Sequence, residues 1–112
     1  MAKPGRLKRK SDFKKIFDEG KSRGNRILRI RYRENGFDHA RLAFVMSKKL
    51  AGAVQRNRIR RVLFEEIRRR SSTLTHSYDI VLFPKEEAVR SGHKTLRDAI
   101  YTLFMESGLI IK

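Results

Sequence analysis

Cysteine and tryptophan are absent from this 112-residue sequence, proline occurs twice, and acidic residues are outnumbered by basic ones, 12 to 28. Each shortage excludes something. Without cysteine there is no disulfide scaffold, no thiolate zinc site and no thiol nucleophile. The longest apolar run, Leu42 to Met46, is five residues, against roughly 18–20 for a helix that spans a bilayer. The first ten residues are basic with no apolar stretch behind them, so they do not read as a secretory signal, and a cytoplasmic location is expected. No repeat, low-complexity tract or Pro/Gly-rich linker marks a boundary. Residues 1–112 therefore read as one domain, with 1–10 a candidate flexible basic arm because Pro4-Gly5 precedes any periodic pattern. A chain of this length buries about two thirds of its unfolded surface, enough to fold without a staple.

What is present is positive charge. The formal net charge is +16, and a surplus of that size opposes compaction and calls for a polyanionic partner. Nucleic acid comes first, an anionic membrane surface second. Charge kept only for solubility would mix both signs along the chain. Here the charge is in blocks. Residues 1–33 hold thirteen Lys/Arg against Asp12, Asp18 and Glu19, and residues 48–70 hold nine against Glu65 and Glu66. The two blocks make one surface only if the fold joins them.

Periodicity gives the elements. Ser11 is placed to cap a helix over Asp12 to Glu19, with Phe13, Ile16 and Phe17 on one face and Gly20 as terminator. Leu28 to Arg33 alternates strictly, setting Leu28, Ile30 and Tyr32 against Arg29, Arg31 and Arg33. Glu34-Asn35-Gly36 is a turn signal, and Arg41 to Ser47 reads as the antiparallel strand that returns from it. A helix runs from Val54 to about Arg70, Ser71-Ser72-Thr73 breaks it, and Asp79 to Phe83 is a short strand stopped by Pro84. The last helix, Thr95 to Ser107, carries Leu96, Ala99, Ile100, Leu103 and Phe104 on one stripe before Gly108. The order αββαβα predicts an α+β sandwich: a small mixed, mainly antiparallel sheet packed with about three helices.

The central helix separates into two faces at 100° per residue. Ile59, Val62, Leu63 and Ile67 form the apolar stripe; Asn57, Arg58, Arg61, Arg68 and Arg69 lie opposite, with Arg60 and Phe64 on the shoulder. Glu65 can pair with Arg61 at i, i+4 for a few tenths of a kcal/mol, but two acids do not neutralise such a face. Phosphates between the arginines would, releasing counterions as they bind, and the planar guanidinium suits bidentate phosphate contacts. On pattern alone, Phe13 and Phe17 read first as the buried i, i+4 face of their helix.

The local string is more specific than its charge. Ser47-Lys48-Lys49, followed by Ala53-Val54 and Arg56-Asn57-Arg58-Ile59-Arg60-Arg61, resembles the Arg-Asn-Arg signature of the bacterial ribonuclease P protein subunit. The resemblance extends upstream through Arg6-Leu7, Asp12-Phe13, Phe17 and Gly20-Lys21, and downstream to Asp79-Ile80-Val81. It implies the small subunit of a ribonucleoprotein endonuclease that removes the 5′ leader of precursor tRNA. Catalysis would then belong to the RNA subunit and its Mg2+ ions, with no cofactor on the protein. The partners implied are ribonuclease P RNA and precursor tRNA, with a monomeric protein in a 1:1 complex with the RNA. The family fold further implies a left-handed βαβ crossover, against the usual hand. Carried across by position, Lys48, Lys49, Arg56, Asn57, Arg58, Arg60, Arg61 and Arg68 look like the RNA-contacting face. Phe13 and Phe17 match the aromatics of the leader-binding cleft, where a ring stacks on any base for about 1–3 kcal/mol. The roles of Arg29, Arg31 and Arg33 stay open between cleft and solvent.

Two departures stand out. Many family members carry Gly-Lys-Ala where this chain has Ala51-Gly52-Ala53, so a basic contact is missing. Where the family commonly has arginine in the second half of the helix, this chain has Phe64. Phe64 can stack on a base or ribose, or widen the buried stripe; the pattern favours the second.

Autonomous catalysis is not expected. His39, His76 and His93 show no metal or acid–base spacing, and the adjacent carboxylates Glu65-Glu66 and Glu86-Glu87 would diverge by about 100° on a helix. No Gly-rich phosphate loop or Ser/His/Asp arrangement appears. The alternative is a noncatalytic structural RNA-binding protein of ribosomal type. A DNA-reading helix would need more base-reading amides than Asn57, and a membrane binder would spend apolar stripes that the core needs; neither DNA nor membrane is expected as partner.

Overall fold

The alternation in Leu28–Glu34 decides which way the sheet faces: Leu28, Ile30 and Tyr32 are buried, while the arginines between them keep some exposure. In the computed structural model, which describes residues 4–110, the elements are β1 (Gly5–Arg6), α1 (Lys10–Glu19), β2 (Lys21–Gly24), β3 (Leu28–Glu34), β4 (Arg41–Phe44), α2 (Ala53–Arg69), β5 (Tyr78–Pro84), α3 (Glu86–Val89) and α4 (His93–Glu106), with a 3-10 turn at Ser71–Thr73 after α2. One five-stranded sheet has the order β1-β4-β5-β3-β2. β4 pairs in parallel with β1 and β5, and β3 pairs antiparallel with β5 and β2.

The sheet has apolar side chains on both faces. On one, Leu28, Ile30, Tyr32, Leu42, Ile80 and Leu82 pack on the α2 stripe, Ile59, Val62, Leu63 and Ile67, and on Leu96, Ile100, Leu103 and Phe104 of α4. On the other, Val81 meets Leu7 and Ile16, with Phe13, Ala43 and Phe83 around them. The molecule is thus an α+β sandwich, with α1 on one side of the sheet and α2 and α4 on the other.

Three sequence expectations change. Arg41 does not return beside β3 as a hairpin strand; β5 lies between β3 and β4, its Asp79 in register with both Arg33 and Arg41. β5 is apolar on both faces, which suits the sheet centre. The turn still forms, with Gly36 at φ 73° and Asn35 Oδ1 accepting from Phe37 N at 2.8 Å, but residues 35–40 then cross the end of β5. Second, residues 4–10 are part of the fold: Gly5 N donates to the Ala40 carbonyl at 2.7 Å and Leu7 N to Leu42 at 2.9 Å, with Leu7 buried. Residues 1–3 of the expected arm lie outside the described residues. Third, Ser11 is not the cap; α1 starts at Lys10 with Arg9 before it and no side-chain cap bond. β2 and the one-turn α3 are additions to the predicted element order.

Gly20 ends α1 through crowding rather than through a left-handed backbone. A Cβ there would stand 2.4 Å from the Ile16 carbonyl oxygen and 2.8 Å from that of Tyr32.

Two carboxylates, Asp79 and Glu66, are buried and paired. Asp79 accepts from Arg41 Nε and Nη2 at 2.8 and 2.6 Å and from Asn35 Nδ2 at 2.9 Å, while Asp12 of α1 reaches the same arginine at 3.3 Å. Donating to Asp79 raises the Arg41 pKa still further, although burial works against it. Glu66 of α2 accepts from Arg70 Nε at 2.8 Å, and the Arg70 guanidinium lies 4.4 Å over the Tyr101 ring of α4.

Candidate nucleic-acid interface

α2 presents its polar face because its buried face is fixed by Ile59, Leu63 and Ile67, all nearly inaccessible. Asn57, Arg60, Arg61, Phe64 and Arg68 then fall within an arc of about 100°. A cleft of about 830 Å³ opens beside this arc, walled by β1, by Phe13 of α1, by Leu42, Ala43 and Phe44 of β4, and by Asn57, Arg60, Arg61, Phe64 and Glu65 of α2. Arg6 of the first basic block and Arg60 and Arg61 of the second thereby line one cleft, together with the rings of Phe13, Phe44 and Phe64.

The expected residues are deployed unevenly. Arg60 Nη1 donates to Asn57 Oδ1 at 2.9 Å, which orients both at the cleft rim. Arg61 is exposed at the same rim. Arg68 holds Glu65 at 2.8 Å, and that hydrogen bond raises its pKa. Arg56 and Arg58 stand at opposite margins of the arc. Arg56 Nη1 donates to the Ala51 carbonyl at 2.8 Å, and Arg58 spans from Gln55 Oε1 (2.8 Å) to the Val89 carbonyl of α3 (3.3 Å). Lys48 and Lys49 are exposed in the turn before α2, where Leu50 N donates to Ser47 Oγ at 3.2 Å. Gly52 has open space around its Cβ direction, so the missing basic residue there answers no steric demand.

Phe13 and Phe17 part company. Phe13 packs against the Leu7, Ile16 and Val81 cluster and lines the cleft. Phe17 is 45% exposed and tilts against Phe83, centroids 6.3 Å apart. The Arg29 guanidinium covers Phe83 at 4.3 Å, so these three make a second aromatic patch on the α1 side of the sheet. The open question of the β3 arginines resolves in part: Arg31 donates to the Ile16 and Phe17 carbonyls at the end of α1, and Arg33 to Glu19. Sequence reasoning did not find Phe44, Phe83 or the β1 wall, because all three depend on strand order. A two-residue strand such as β1 leaves no periodicity to read.

The Ribonuclease P family model matches residues 1–107. The chain belongs to that family. Among its ribonuclease P relatives, the protein component from Alkaliphilus oremlandii is 33% identical over 105 residues, covering 94% of this chain and 92% of the relative. The Staphylococcus aureus RNase P protein structure superposes with a TM-score of 0.87 at 26% identity, covering 99% of this chain and all of that one. The Thermotoga maritima RNase P protein gives 0.80 at 32% identity, with 90% and 96% covered. The Ser47-Lys48-Lys49 to Arg56-Asn57-Arg58 string that resembles the ribonuclease P signature runs from the turn after β4 into the first turns of α2. No helix among the described residues is long and apolar enough to cross a membrane, and no group of three or more His, Asp or Glu residues there is arranged to hold a metal.

Proposed function

We propose that this chain is the protein subunit of a bacterial ribonuclease P, binding the catalytic RNA subunit and the 5′ leader of precursor tRNA in the cytoplasm. The observation that carries the reading is the cleft, where Asn57, Arg60 and Arg61 line the same solvent-open gap as Phe13. From Asn57 to Arg68 the basic arc runs about 17 Å along α2, and Lys48 and Lys49 extend it past the helix start. Arg56 and Arg58 brace its two margins while adding charge. Such a row meets successive phosphates of a folded RNA, and its affinity comes largely from counterion release. Phe13 and Phe17 offer rings to an unstacked leader without reading its sequence. The chemistry of strand cleavage stays with the RNA and its Mg2+ ions; one protein monomer serves one RNA.

The test is cleavage of precursor tRNA by a bacterial ribonuclease P RNA at low Mg2+, with and without the protein, beside an RNA-free control. Correct 5′ cleavage only when RNA and protein are both present is the expected outcome. Tight RNA binding without rescue would return the structural RNA-binding reading. Cleavage by repurified protein alone would place an active site in the chain and overturn the division of labour.

A further inference from the structure

Phe64 stands where the ribonuclease P signature commonly has arginine, and the cleft gives it a setting. Three rings line that cleft, Phe13 from α1, Phe44 from β4 and Phe64 from α2; Phe44 and Phe64 pack one side against the main core, widening the α2 stripe, and Phe13 packs against the second cluster, while each keeps part of its surface open. Among the described residues none of the three pairs with another aromatic ring, unlike Phe17 with Phe83 or Tyr32 with Tyr78. The rim is cationic: Arg60, oriented by Asn57, and the exposed Arg61. The acid on the rim, Glu65, is held by Arg68. A volume of about 830 Å³ is within the range of small-ligand pockets, roughly 300–1,000 Å³.

An apolar ring floor under a cationic rim selects a flat π-face and an anion within one side chain's reach of each other. A nucleotide has both. We propose that the cleft between β1 and α2 is a slot for a single unstacked RNA base, with Phe64 as its stacking platform and Arg60 and Arg61 on the adjoining phosphate. The proposal rests on the RNA-binding reading above and adds to it a base site on α2 itself. It also gives the departure at Phe64 a chemical sense. A phosphate contact is exchanged for a stacking contact, so affinity at this position no longer depends on salt.

The chain contains no tryptophan, so Phe64→Trp introduces a lone indole into the slot. The full-length variant is titrated with a ten-residue oligoadenylate and with an abasic oligomer of the same length and charge, binding being followed separately by anisotropy of labelled oligomer. Quenching of indole emission by the oligoadenylate, and none by the bound abasic oligomer, is expected. Equal emission with both oligomers bound would overturn the slot. A second series guards against a poorly folded indole variant. With ribonuclease P RNA, Phe64→Ala should lose about 5- to 150-fold in affinity at an unchanged salt slope. Phe64→Arg should recover affinity and steepen the slope by about 0.7–0.9. If Phe64 only fills the core, Phe64→Ala lowers the melting temperature and leaves affinity where it was, and the proposal fails. Failure of the unmodified chain to bind any of these RNAs sinks the broader reading instead; binding without the base dependence sinks the slot alone.

Discussion

Arg58 and Arg61 lie within one turn of each other on α2 and carry the same charge, yet the structure employs them differently. Arg58 divides its guanidinium between Gln55 and the Val89 carbonyl, bracing α3 against α2. Arg61 stands exposed on the cleft rim. Removing Arg61 takes away charge without disturbing packing, so Arg61→Ala should leave the melting temperature nearly unchanged, as surface substitutions usually do. Its RNA affinity should fall, and the slope of log affinity against log salt should flatten by about 0.7–0.9, one phosphate's worth. Arg58→Ala should also destabilise the fold, by about 1 kcal/mol, because a part-buried carbonyl loses its donor. Thermal melts beside salt-dependent binding separate the two. An unchanged slope for Arg61→Ala would remove that side chain from the phosphate contacts.

Between elements, the decisive interaction is the Arg41–Asp79 pair. It fastens β4 to β5 as parallel neighbours, and through Asp12 and Asn35 it holds the start of α1 and the β3–β4 loop at the same point. Asp79→Asn would leave the largely buried Arg41 with only the longer Asp12 contact at 3.3 Å as a carboxylate partner. A cost of about 3 kcal/mol is expected, the low end for broken buried pairs, because Asp12 keeps part of the compensation. In urea the midpoint should fall while the slope of the transition stays constant; a loss within about 0.5 kcal/mol would mean the pair is idle. The same cluster marks where the sequence was legible and where it was not. The alternation in β3 and the stripes of α2 and α4 are local patterns set by burial of one face, and each predicted its element within a few residues. The basic face of α2 was legible for the same reason. Strand order is not local. A turn at Asn35-Gly36 between two strand-like segments reads as a hairpin, and nothing nearby reveals that Asp79, 38 residues beyond Arg41, will bind it and draw β5 between them. Burial of Glu66 was equally hidden, since its partner Arg70 is braced by Tyr101 on another helix. The cleft inherits this limit: its α2 wall could be read, whereas its β1 and β4 wall waited on pairing.

At the scale of the whole molecule, a net charge of +16 sits on a body of 35 × 32 × 22 Å. Several acids are occupied by exposed local pairs, Lys14–Asp18, Arg90–Glu86 and Lys94–Asp98 among them, and such pairs contribute little. The surplus therefore repels itself across the molecule. At an ionic strength of about 0.01 M the Debye length, about 30 Å, is comparable with the protein; at about 0.1 M it is about 10 Å. Stability should accordingly rise with salt over that interval, while RNA affinity falls steeply over the same interval because counterion release weakens. Two slopes of opposite sign from one charge distribution are the signature of a surface kept for a polyanion at the fold's expense. Lys49→Glu with Arg61→Glu removes four units of charge, from +16 to +12, at two exposed positions of the proposed interface. The double variant should melt higher than the unmodified chain at low salt, and the difference should shrink as KCl is added. Its RNA binding should be lost at every salt concentration. A melting temperature that falls on charge reversal would mean the basic face is stabilised by contacts within the protein, and that its repulsion is not what the RNA relieves.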